Sequence, residues 1–138
     1  MQLHPYLNFG GNCEQAFRYY EKHLGGKLLE AIKYEQNPDA AKAHPGQGDK
    51  ILHARLEVAG THVMGTDVPA DKFQPVRSSY LSLAVDSSPE AERIHKALAE
   101  GGEVFTPMQE TFFAHRFSVL RDKFGVLWML SHLKPMPN

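Results

Sequence analysis

The sequence predicts an α+β domain made of two βαβββ repeats, with mixed sheets curling into a half-barrel around a cavity. Three observations lead there. The chain has 138 residues with 42% apolar and 10% aromatic types, which suits one ordinary domain. A strand, a helix and a Gly-Gly pair occur in the same order in both halves. In each half the apolar residues supply one helix face and one row of each strand, which leaves the opposite sheet face free.

The first half opens on His4-Pro-Tyr-Leu-Asn-Phe9, whose alternation predicts a half-buried strand. Gly10-Gly11 ends it, and Asn12 is placed to cap a helix with Cys13, Ala16, Phe17, Tyr20 and Leu24 on one face. Gly25-Gly26 stops that helix before a strand from Lys27 to Ile32. Glu35 to Asp49, rich in Pro, Gly, Ala and Asp, reads as a loop. A hairpin follows, Ile51 to Val58 and Thr61 to Thr66, turning on Ala59-Gly60.

The second half repeats this order. Tyr80 to Val85 is a strand, Ser88-Pro89 starts a helix, and Ala91, Ile94 and Leu98 form its apolar face. Gly101-Gly102 stops it, Glu103 to Thr106 begins a strand, and Phe113 to Arg121 and Val126 to Ser131 close a hairpin around Phe124-Gly125. The expected organisation is one domain over 1–138: a first repeat over 1–67, a linker over 68–77 and a second repeat over 78–132.

Composition limits the functions available. Lys and Arg number 15 against 16 Asp and Glu, for a net charge of -1, which argues against nucleic acid as a partner. No apolar run reaches the ~20 residues of a membrane span, and the N-terminus lacks the pattern of a signal peptide, so a cytoplasmic protein without membrane contact is expected. The single Cys13 forms no intrachain disulfide. The first helical turn lowers a thiol pKa, but the apolar face favours an inert, packed residue. Eight histidines are the compositional hint of chemistry.

Pro5-Tyr-Leu-Asn-Phe9, Gly11-Asn-Cys-Glu-Gln-Ala-Phe17, Gly25-Gly26, His53-Ala-Arg-Leu56, Gln109-Glu-Thr-Phe-Phe113, Arg116 and Asp122-Lys-Phe-Gly-Val-Leu-Trp128 together resemble the glyoxalase/bleomycin-resistance group. This is the vicinal oxygen chelate superfamily, and the sequence is most similar to its PhnB-like branch, labelled 3-demethylubiquinone-9 3-methyltransferase-like. The resemblance implies two βαβββ modules around a cavity, and pairing as a homodimer. Metal-dependent members of the superfamily use four inward ligands. Mapped onto this chain, those positions fall on His4, Met64, Tyr80 and Met129, a single well-suited donor, so no divalent metal is expected as cofactor. Asn8-Phe-Gly-Gly-Asn12 lacks the G-x-G spacing of a methyl-donor site, and the fold is of the wrong class for one.

Strand alternation aims His4, Tyr6, Asn8, His62, Met64, Tyr80, Ser82 and Met129 at the cavity, an apolar wall with a few polar groups that suits a small organic ligand. Arg116, flanked by aromatics, is placed to hold a ligand carboxylate or phosphate, or else to pair with Glu110 or Asp122. His53 and Arg55 are weaker candidates of the same kind, and Gln109 with Glu110 would close the cavity mouth. Three functions follow: a small-ligand binder, a metal-dependent lyase or dioxygenase, and a metal-independent enzyme using Arg116 and a cavity histidine.

Overall fold

The computed structural model describes residues 1–136. The chain forms two compact units, with the boundary between Gln74 and Pro75, inside the stretch read as a linker. The first unit contains β1 (Tyr6–Phe9), α1 (Cys13–Leu24), β2 (Lys27–Lys33), a 3-10 turn (Tyr34–Gln36), α2 (Pro38–Ala43), β3 (Ile51–Val58) and β4 (Thr61–Asp67). The second contains β5 (Leu81–Ala84), α3 (Ser88–Ala99), β6 (Glu103–Gln109), β7 (Ala114–Arg121) and β8 (Leu127–Leu133).

Both units are four-stranded mixed sheets of one topology, ordered β1-β4-β3-β2 and β5-β8-β7-β6. In each, the first strand runs parallel to the last, with Tyr6 opposite Met64 and Ser82 opposite Met129. The remaining pairs are antiparallel. Each sheet is open, with two unpaired edges.

The helices cover one face. Phe9, Cys13, Ala16, Phe17, Tyr20, Ala54, Leu56 and Val63 are buried in the first unit. Ala91, Ile94, Leu98, Leu120, Trp128 and Leu130 are buried in the second. The amphipathic spacing read from the sequence therefore marks the core.

Four local expectations are corrected. The first strand begins at Tyr6, because Pro5 has no N–H to give the ladder; its carbonyl accepts from the Met64 N–H at 3.0 Å. Asn12 makes no side-chain cap bond. The exposed N–H groups there are taken by Asp67, whose Oδ1 accepts from Gly11 and Cys13 at 3.0 Å each. Within the stretch read as a loop, Asn37 accepts from the Ala40 N–H at 3.1 Å and caps α2, with Pro38 in the first turn. At the second helix the cap is Ser87, accepting from Glu90 at 3.2 Å, and Ser88 lies inside the helix.

The paired glycines divide their work. Gly25 takes the left-handed conformation (φ 70°) that ends α1. Gly26 lies so close to β3 that an added Cβ would stand 2.9 Å from the Glu57 carbonyl oxygen. In the second unit Gly102 presses on the Arg121 backbone in the same way.

Candidate functional site

In the first unit, alternation along β3 puts the buried Ala54, Leu56 and Val58 under α1 and turns His53, Arg55 and Glu57 to the other face. The ladder extends that face sideways. Tyr6, Met64, Arg55 and Glu30 form one row, and Asn8 and Thr66 are opposed beside it. Tyr6 is half exposed, and its ring stacks on His53 with centroids 6.1 Å apart. Burial of its hydroxyl, opposed by a hydrogen bond with Thr66, pushes the Tyr6 pKa up, so the group stays a neutral donor at neutral pH. His53 Nε2 lies 3.8 Å from Glu30 Oε2. His4 stacks on His62 at 5.6 Å, and His62 Nε2 lies 3.5 Å from Glu57 Oε2. Two polar atoms of this face are buried without a hydrogen-bond partner, His4 Nδ1 and Arg55 Nε.

The second unit has fewer polar groups on its open face. Ser82, Met129 and Val119 lie opposite one another, and Tyr80, just before β5, is part exposed. Gln109 ends β6 opposite Phe117 and is exposed. Arg116 is committed elsewhere: its Nε lies 2.9 Å from Glu92 Oε1 on α3. The two partners weighed for it are both engaged, Glu110 with Lys134 at 3.0 Å and Asp122 with the Phe124 and Val126 N–H groups and the Trp128 indole. On the α3 side His95 Nδ1 is 2.9 Å from Ser118 Oγ, and His132 Nδ1 is 2.9 Å from Ser88 Oγ.

The four positions mapped as metal ligands do not make a divalent centre by their chemistry. His4 and Met64 of the first unit offer one imidazole and one thioether, and the side chain stacked on His4 is His62 rather than Met64. Tyr80 and Met129 of the second unit add a phenol and another thioether. Among the described residues no three His, Cys, Asp or Glu side chains gather as a metal site. Two surface hollows, of about 630 Å3 beside α3 and about 310 Å3 beside α2, are lined by none of the candidate residues.

The structure settles the facing of Arg55, the weaker of the two arginine candidates in the sequence. The irregularities in the β2–β3 pairing fall between Leu28 and Glu30 and between Ile32 and Lys33. From Ala54 to Val58 the β3–β4 register is regular, so simple alternation across the apolar Ala54, Leu56 and Val58 was sufficient to orient Arg55. Glu30 and Glu92, which set the pairing of His53 and Arg116, carried no signal in sequence.

The Glyoxalase/Bleomycin resistance protein/Dioxygenase superfamily matches residues 2–130. The chain belongs to that superfamily. It is 37% identical to the protein YjdN of Escherichia coli (strain K12), with 100% of this chain and 99% of YjdN aligned. It is similar to the crystal structure of PA1353 from Pseudomonas aeruginosa at 41% identity and a TM-score of 0.88, covering 96% and 97% of the two chains. The PhnB protein of Bacillus cereus, at 23% identity and a TM-score of 0.83 over 96% and 99% of the chains, shares the fold. Superfamily membership thus covers both repeats, and the fold is shared with the PhnB protein across nearly the whole chain. Among the described residues no helix is long and apolar enough to cross a membrane.

Proposed function

We propose that this superfamily member binds a small organic ligand against the open face of its sheets, and that each sheet curls around that face to enclose it. The observation that carries the reading is the character of the uncovered face in the first unit. Tyr6 is 50% exposed, whereas Phe9 of the same strand is 2% exposed under the helix. An aromatic ring left beside His53, Met64, Asn8 and Arg55 is the mixture of apolar surface and sparse polar groups that small-molecule sites use. A face needed only for packing would have closed on itself.

Thermal-shift screening with small aromatic and aliphatic compounds tests the proposal. A stabilising compound should raise the melting temperature in proportion to ln(1 + [L]/Kd), and Tyr6→Ala should remove most of that rise. Stabilisation untouched by Tyr6→Ala, Asn8→Ala and Met64→Ala alike would show that the ligand sits elsewhere. The same proposal includes pairing of two copies as a homodimer, supported by the unpaired sheet edges.

A further inference from the structure

The open face of the first unit carries a cation with no carboxylate partner among the described residues. Arg18, Arg116 and Arg121 each reach a glutamate. Arg55 does not. Its single hydrogen bond runs from Nη2 to the Met64 thioether at 3.8 Å, a weak acceptor, and its Nε is buried with no partner. Glu30 is directly across the ladder, yet its carboxylate lies beside His53. A half-buried guanidinium is costly to keep when its Nε–H has lost water without gaining an acceptor. Just before β1, His4 Nδ1 is a second buried polar atom without a partner.

The planar fork of a guanidinium held only by a weak thioether acceptor matches the paired oxygens of a carboxylate or phosphoryl group. We infer that the ligand of this face is a small organic acid whose carboxylate or phosphoryl group is held by Arg55. Tyr6 and Met64, in the same row, offer the apolar surface for its organic part. The inference rests on the reading of this face as a ligand site, and adds the chemical class of the ligand.

Three probes of similar size separate the two ideas: benzoate, phenyl phosphate and neutral benzamide. Each is titrated into 15N-labelled protein while the Arg55 Nε–Hε resonance and the backbone amides of β1, β3 and β4 are followed. At least one anion should move the Arg55 resonance saturably and bind about tenfold more tightly than benzamide. Arg55→Gln should bring that anion down to the affinity of benzamide, whereas Arg18→Gln, on α1, should change nothing. A preference for benzoate identifies a carboxylate ligand, and a preference for phenyl phosphate a phosphoryl one. Equal affinities for anion and amide, or an Arg55 resonance that stays still while the β-strand amides move, would overturn the anion assignment and leave the ligand face standing. No perturbation of these strands by any probe would overturn both. If Arg55→Gln fails to fold, the Arg55 resonance of the unaltered protein still decides.

Discussion

At the scale of single residues, Asp67 ties the start of α1 to the start of β3 in the first unit. It is 1% exposed, and its carboxylate accepts from Gly11, Cys13 and Ile51. Its own carbonyl accepts from the Tyr34 hydroxyl at 2.8 Å. The negative charge sits at the start of α1, where the helix dipole favours it. Asp67→Ala would strand two buried donors and one part-buried one and should destabilise by about 3–5 kcal/mol in urea unfolding; Asp67→Asn, which keeps an acceptor, should cost less. The same carboxylate raises the pKa of Cys13, after the larger effect of burial, so the thiol stays protonated. Cys13 should therefore resist iodoacetamide in the folded protein and react at its ordinary rate in urea. His95 makes the opposite kind of prediction. Burial, only partly offset by Glu92, pushes its pKa down. The unfolded chain therefore takes up the proton first, at about pH 6.5, and stability is lost as pH falls below that value. The difference in urea midpoint between the unaltered protein and His95→Gln should accordingly change between pH 7.5 and 5.5, in the direction that penalises the histidine at low pH.

At the scale of elements, a tight constraint is the seat of α1 on β4. A Cβ on Gly65 would lie 2.8 Å from Phe17 Cζ and 3.2 Å from Cys13 Sγ. Gly65→Ala should thus cost about 1–3 kcal/mol in unfolding free energy by overpacking, and Phe17→Leu in the same chain should recover part of the loss. Repeats, helix faces, hairpins and Gly-Gly stops were all legible in the sequence, since each is written in local periodicity or in a turn requirement. Asp67 was not legible as a cap, because its partners at Gly11 and Cys13 are distant along the chain. Nor was α2, although Asn37-Pro38-Asp39 is a helix-start signature; the Gly and Pro that follow it gave the segment the composition of a loop. For the candidate site, alternation found Tyr6, Asn8 and Met64. The pairing that leaves Arg55 unmatched and Arg116 matched depends on glutamates brought in from other elements.

At the scale of the whole molecule, duplication leaves a problem that one chain does not solve within either unit. Each four-stranded sheet ends in two unpaired strands. Such edges are templates for association unless they are short, charged or covered. β1 and β5 have four residues each, and β2 carries Lys27, Glu30 and Lys33. β6 is the least guarded. Val104 and Phe105 on it are 41% and 43% exposed, and the nearby Phe112 is 92% exposed, with Glu103 and Pro107 as the opposing features. Exposed apolar side chains on an unpaired strand favour a second copy as their cover. Light scattering at tens of micromolar should therefore give twice the mass of the chain, and Val104→Lys with Phe112→Ser should return a folded monomer. A monomer at every concentration would refute the pairing. A dimer unaffected by the double change would place its interface away from β6, on one of the other edges β1, β2 or β5 or on another surface.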